Sequence, residues 1–264
     1  MRASDWQFTS DARWLEARRG YLTASSIVKL LAEYKRVLAG KVDADKAPAF
    51  LALAMEQMRE PTAEDCESRG MAARGHWLEP RAVEDYNRYM QGKTKVGNPV
   101  RSYYHVDDLV IVDPLTRLGW SPDALDRPVR VLTNKLVSGM CAYESALEIK
   151  SYGLDRAAKV MQQKKSDREE RWQCACAMAC LSTLCEMTVV LYLPQLSTFY
   201  DFTYARAELE DEVETVLAMA AIWRESLKTV HAWTASMSAL GKHARGEAEL
   251  EAEYLREMAD VLRG

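Results

Sequence analysis

Ser121-Pro122-Asp123 and Glu148-Ile149-Lys150, with twenty-four residues between Asp123 and Glu148, decide how this chain is read. In an extended strand successive side chains alternate faces. Glu148 and Lys150 therefore point to one side and Ile149 into the core, and Asp123 reaches the same spot if it ends a neighbouring strand. Two carboxylates beside a lysine suit a hard divalent cation such as Mg²⁺, which prefers carboxylate and carbonyl oxygens and stabilises the charge that builds on a phosphate under attack. The lysine can orient the attacking water or help to deprotonate it. The competing reading is an exposed Glu/Lys pair on a sheet face, because D…ExK also arises by chance and needs context.

The surroundings are those of one substantial α/β domain. At 264 residues, 48% hydrophobic and 28% charged, the chain can bury its own core. The N-terminal stretch carries no apolar segment, and the longest run of low polarity, Cys174 to Cys185, is too short to cross a bilayer. These features predict a cytoplasmic protein with no membrane association. The net charge of −4 argues against a uniformly basic surface, but it is unevenly spread: +3 over residues 1–46 and −5 over 205–264. A local basic groove can still bind a polyanion, because binding follows the local field. Of the six cysteines, four fall between Cys174 and Cys185 on a segment that reads as a buried helix. Cys174 and Cys176 lie about 200° apart on such a helix, so core packing is favoured over a zinc site.

Along the chain, periodicity and turn signals predict a short helix over 11–18, then helices over 24–38, 48–58 and 63–90, with Thr23 or Ser25 capping the first of these three. Strands are expected at 103–106, 109–112, 118–121 and 145–151, with an uncertain connection over 126–144 that could hold a hairpin. Helices over 155–165 and 168–184 follow, then an interior strand over 188–193 and a partner over 199–203. A long amphipathic helix runs from Arg206 to about 235, with Leu209, Val213, Val216, Leu217, Ala220, Trp223 and Leu227 along one stripe. Gly241 and Gly246 are expected to interrupt it before an acidic final helix near 247–262. Helices, a small sheet, then helices packed back make an α/β sandwich around one sheet.

The order Asp123…Glu148-Ile149-Lys150 is that of metal-dependent nucleases of the PD-(D/E)xK type, and the likeness extends to a narrower family. Trp14-Leu15-Glu16-Ala17-Arg18-Arg19-Gly20-Tyr21-Leu22-Thr23-Ala24-Ser25 resembles the opening block of phage lambda exonuclease and its YqaJ-like viral recombinase relatives. Arg74-Gly75-His76-Trp77-Leu78-Glu79 is similar to their second block, a glycine followed four residues later by an acid on a helix. Ser121-Pro122-Asp123-Ala124-Leu125 resembles their S-P-D-G-L, and Leu147-Glu148-Ile149-Lys150 their L-E-x-K. Trp172-Gln173, with Met178 five residues on, resembles the final block. The likeness covers roughly three-quarters of the chain, from residue 14 to about 203.

This resemblance implies a restriction-endonuclease-like core with a small mixed central sheet flanked by helices. It would occupy residues 1–235, with a helical extension over 236–264. It implies a metal-dependent enzyme that degrades one strand of linear double-stranded DNA from the 5′ end during phage-type recombination in a bacterial host's cytoplasm. A trimeric ring and a single-strand annealing protein as partner belong to the same expectation. Asp123, Glu148 and the Ile149 carbonyl would hold metal: each is an oxygen donor suited to Mg²⁺, with Mn²⁺ as substitute and two ions per site. Glu79 would serve a second ion or its water, Lys150 the nucleophilic water, and Gln173 the positioning of the site. Arg18 and Ser25 would hold the terminal 5′ phosphate.

Each role has a structural competitor. Arg19 adjoins Arg18, Ser25 could be a helix cap, Glu79 a solvated helix residue, Gln173 a buried polar group serving the backbone, and Asp126 a turn residue. The chain also departs from the family pattern. Ala124 stands where glycine is frequent, Ala175 where a second glutamine is common, and residues 127–143 look like an insertion that could contact DNA through Arg127, Arg130 and Lys135. A RecB-like nuclease, an endonuclease on the same fold and a catalytically silent DNA- or protein-binding scaffold are the rival readings.

Overall fold

The computed structural model describes residues 6–8, 16–58, 70–93, 101–106, 109–126, 129–130, 141–152, 154–164, 166–193 and 198–261. The order is β1 (Trp6–Phe8), β2 (Leu22–Thr23), α1 (Ala24–Leu38), α2 (Pro48–Met58), α3 (Gly70–Lys93), β3 (Tyr103–His105), β4 (Leu109–Asp113), β5 (Leu118–Trp120), β6 (Ala124–Asp126), β7 (Val129–Arg130), β8 (Cys141–Ala142), β9 (Ser145–Lys150), α4 (Leu154–Gln163), α5 (Arg168–Cys180), β10 (Glu186–Leu193), β11 (Thr198–Ala205) and α6 (Glu210–Val261).

The strands form a five-stranded mixed sheet, β11-β10-β9-β6-β3, a four-stranded sheet, β1-β4-β5-β2, and the β7–β8 pair. This corrects the expectation of one sheet. The strands over 109–113 and 118–120 do not join the strand that carries Glu148; they pair with each other and with β1 and β2. The chain changes sheets at Ser121-Pro122-Asp123, where Pro122 has no N–H to continue a ladder. In the larger sheet β9 runs parallel to β10 and antiparallel to β6. Five of the six β9 residues are buried, as befits a strand enclosed on both sides.

One face of that sheet packs Leu147, Ile149, Val190 and Tyr192 against Leu78, Ala82, Val83 and Tyr86 of α3. Polar ties fix the same helix: Tyr86 Oη donates to Asp201 (3.0 Å), Tyr192 Oη to Asp85 (3.0 Å), and Asn87 bonds both backbone groups of Tyr103 (2.8 and 3.0 Å). The other face packs Ala146, Met187 and Val189 into a larger core with α1, α2, α5 and α6. Alanines and cysteines let α5 sit in the middle of that core, and every residue from Cys174 to Cys180 is buried.

Helix α6 runs without interruption from Glu210 to Val261, where a break at Gly241 and Gly246 was expected. A helical glycine costs only about 1 kcal/mol against alanine, too little to end a helix flanked by good helix formers. Its stripe of Val213, Val216, Met219, Ala220, Trp223, Leu227 and Val230 is buried, but Leu217 is exposed. The helix expected over 168–184 stops at Cys180, and Leu181 is extended. Asp126 is no turn residue: it lies buried in β6 and accepts a bond from the Ser145 amide (3.1 Å). The connection over 126–144 holds the β7–β8 hairpin. The first residues of the helix expected over 63–90 and the side chains of Arg127, Arg130 and Lys135 lie outside the described residues.

Cys174, Cys176 and Cys180 are buried and unbridged, whereas Cys185 is free and exposed. Burial pushes all three buried thiols up, Cys176 to about 12. Because the thiolate is the reactive form, a maleimide should modify Cys185 rapidly in the native protein. The three thiols of α5 should react only after denaturation, a difference that peptide mass spectrometry resolves. Native labelling of Cys176 at a rate like that of Cys185 would contradict this packing.

Candidate active site

The geometry begins with the pairing of β6 and β9. Ala124 lies opposite Leu147 and Leu125 opposite Ala146, so Asp123, immediately before β6, arrives beside Glu148 and Ile149. Its Oδ2 accepts a 2.6 Å bond from the Ile149 amide. Strand alternation puts Glu148 and Lys150 on the face opposite Ile149, and Lys150 Nζ meets Glu148 Oε1 at 2.7 Å. Both side chains are largely buried, and the neighbouring α5 senses them: their charges act on the Cys174 thiol. Glu79 comes from α3, and its carboxylate, 3.7 Å from His105 Nε2, adds to the field at Asp123.

Desolvation first, then the charges of Glu148 and Glu79, push the Asp123 carboxyl well above the usual range, despite the opposing effects of Lys150 and the Ile149 amide. At Lys150, burial works against the charge, but Glu148 and Asp123 outweigh it and hold the proton more firmly than usual. Three oxygen-donor side chains thus crowd together with an ammonium among them. Among the described residues no three His, Cys, Asp or Glu side chains form a ready metal cage. Asp123 is held by a backbone amide and Glu148 by Lys150. The donor set still fits a hard divalent cation: it is all oxygen, its like charges are crowded, and Lys150 occupies the place of a counter-ion.

The remaining expected residues fall on two sides. Gln173, on α5, has a buried Oε1 without a hydrogen-bond partner, an orphaned acceptor that packing alone does not explain. Ser25 is exposed in the first turn of α1, 3.3 Å from Thr23 Oγ1. Thr23 is the N-cap, but neither it nor Ser25 makes the expected side-chain cap bond, and the first turn carries no acid. The end of that helix therefore retains its affinity for anions. Arg18 precedes it, and its charge reaches Cys176 on α5. Arg19 is committed elsewhere: it bonds the carbonyls of Gln57 and Met58 at the end of α2 and the Glu16 carboxylate (3.3 Å). Of the adjacent arginines, Arg19 is thus the one that holds the fold.

Two residues escaped the sequence reading. His105 faces Glu79 because β3 pairs with β6, placing His105 opposite Ala124. Glu170, buried on α5 beside the helix position of Gln173, bonds Arg156 (3.3 Å) through one oxygen and leaves the other unpartnered. Burial raises its carboxyl, and its charge acts on Lys150. A charged residue three positions before Gln173 was the available signal for it.

Residues 13–186 match the family model of the YqaJ-like viral recombinase domain. Among solved structures the chain is similar to an alkaline exonuclease from Laribacter hongkongensis, at 20% identity and a TM-score of 0.51, over 85% of this chain and 98% of that one. The same exonuclease in complex with dAMP matches at 19% identity, with the same TM-score and coverage. At these identities the likeness is one of fold. No curated protein matches the sequence.

Proposed function

The chain belongs to the YqaJ-like viral recombinase family, and on that footing we propose that it is a divalent-metal-dependent exonuclease that degrades one strand of linear double-stranded DNA from its 5′ end. The observation that carries the reading is Asp123 docked on the Ile149 amide, with Glu148 and Lys150 alternating on the same strand. The fold shared with an alkaline exonuclease supports a nuclease, and the family supports a role in phage-type recombination. A single-strand annealing protein as partner, a ring-shaped trimer, a cytoplasmic site of action and the 1–235/236–264 division are part of the proposal. Among the described residues no helix is long and apolar enough to cross a membrane.

Asp123, Glu148, the Ile149 carbonyl and Glu79 would hold Mg²⁺, or Mn²⁺ in its place, with room in the proposal for two ions. The metal when bound would supply Lewis-acid stabilisation of the charge that develops on the attacked phosphate. Lys150 exchanges its contact with Glu148 for the attacking water, which it orients. The unpartnered Gln173 oxygen accepts a bond from that water or from a group that positions it. Arg18 presents a planar fork to the terminal 5′ phosphate, with the Ser25 hydroxyl and the start of α1 completing the seat.

The test is digestion of linear duplex labelled separately at its 5′ and 3′ ends, with Mg²⁺ or EDTA, beside a closed circle. The expected result is metal-dependent release of 5′-terminal mononucleotides with the circle intact. Cleavage of the circle would identify an endonuclease, and no cleavage by folded protein in Mg²⁺ or Mn²⁺ would leave a binding scaffold. In the same assay Arg18→Ala should selectively lower the preference for phosphorylated over hydroxyl 5′ ends. Equal losses on both ends would remove Arg18 from the phosphate seat.

A further inference from the structure

A cavity of about 480 Å³ is bordered by Arg19 and Gly20 and lies between the β4–β5 hairpin, the end of α2 and helix α6. Three arginines and a lysine line it (Arg19, Arg117, Arg224 and Lys228), with Glu16 as its one acid. Such a gathering is notable in a chain whose net charge is −4. Arg19 and Lys228 are partly neutralised, by Glu16 (3.3 Å) and Glu225 (2.7 Å). Arg117 and Arg224 have no carboxylate partner among the described residues: Arg224 donates to the Leu115 carbonyl (2.9 Å), and Arg117 lies over the Tyr21 ring at 5.5 Å.

The backbone supplies an independent observation. Arg117 has φ +62°, a left-handed conformation that glycine adopts freely and a side chain makes unfavourable. The hairpin imposes it. Arg117 N donates to the Asp113 carbonyl (2.8 Å), its carbonyl accepts from Leu22 N (2.7 Å), and Asp113 holds the Leu115 amide and the Thr116 hydroxyl. The turn demands that geometry and not an arginine, so the arginine is there for its side chain.

We propose that this cavity holds a backbone phosphate of the bound DNA other than the terminal one. The inference rests on the nuclease reading and extends it, because one turn carries Arg18 toward α5 and Arg19 into the cavity. Guanidinium forks without carboxylate partners suit a phosphodiester. An acidic peptide would satisfy the same charge, but the shared turn favours DNA already held at Arg18.

The test uses the full chain carrying Asp123→Asn, so that DNA survives, and follows binding of a 5′-phosphorylated duplex by fluorescence anisotropy across a salt series. Arg117→Gly and Lys228→Gln should each weaken binding about threefold to tenfold and flatten the salt slope by roughly one. Arg117→Gly should melt no lower than its parent, which separates lost binding from lost folding. If the parent binds no duplex, the nuclease reading itself fails. If the parent binds and both variants keep its affinity and slope, this inference alone is overturned. It is equally overturned if duplex binding is unchanged while the variants lose affinity for polyglutamate, which would assign the cavity to an acidic protein, or for inorganic phosphate, which would assign it to the free anion.

Discussion

Asp123→Asn should lower cleavage of linear duplex by about a hundredfold to a thousandfold, the scale of losing a group that stabilises transition-state charge, and should make the metal-free protein more stable. The stability effect is electrostatic. Burial and the charges of Glu148 and Glu79 raise the Asp123 carboxyl, so the native state retains a proton that the unfolded chain has released. A raised native pKa gives stability that is full below the unfolded value and is lost as pH rises through the native one. The asparagine resembles the protonated carboxyl and can still accept the Ile149 amide bond. In EDTA its advantage over wild type should therefore be absent near pH 4, grow as pH rises through the raised range and then level off. An advantage on the order of 1 kcal/mol corresponds to about 2–4 °C in Tm for a domain of this size. Mg²⁺ should raise the Tm of wild type and leave the variant almost unmoved. An inactive variant that is less stable than wild type at neutral pH would mean that Asp123 holds the fold. An active one would remove it from the site.

The parts of this site legible in the sequence are those encoded by local rules. Strand alternation placed Glu148 and Lys150 on one face and Ile149 on the other, because period 2 leaves no choice. The stripe of α6 and the buried character of α5 followed from the spacing of apolar and small residues. Partnership between distant segments was not legible. Nothing local says that β4 and β5 pair with β1 and β2, since that choice is made by burial of whole strands. Arg18 and Arg19 look alike in sequence, and they separate only when the end of α2 presents the Gln57 and Met58 carbonyls to Arg19. His105 enters the site through β3–β6 pairing, which leaves no local trace, whereas Glu170, whose charge acts on Lys150 from α5, was marked only by its position three residues before Gln173. The expected break at Gly241 overvalued glycine, whose cost is small beside the cooperativity of a helix already formed.

Trp223→Ala should cost about 3–5 kcal/mol, the range for deleting a large buried aromatic side chain. It should lower Tm by about 10 °C or more. Trp223 is fully buried at the centre of the core shared by α1, α2, α5 and α6, and its Nε1 donates to the Gly20 carbonyl at 3.3 Å. That bond reaches the turn from which Arg18 and Arg19 diverge, and Gly20 there has φ +75°. The indole therefore fills the core and anchors the turn, and Trp223→Phe separates the two roles. Phenylalanine keeps most of the apolar volume and loses the donor, leaving the Gly20 carbonyl to find another partner at a cost of about 1–3 kcal/mol. If the anchor positions the phosphate seat, Trp223→Phe should reduce the preference for phosphorylated ends by more than its stability loss accounts for, at a temperature where both proteins are fully folded. Thermal unfolding beside the end-preference assay measures the two effects together. A Phe variant with lowered Tm and undiminished end preference would confine Trp223 to the core. An Ala variant melting near wild type would mean that α6 is not packed against that turn.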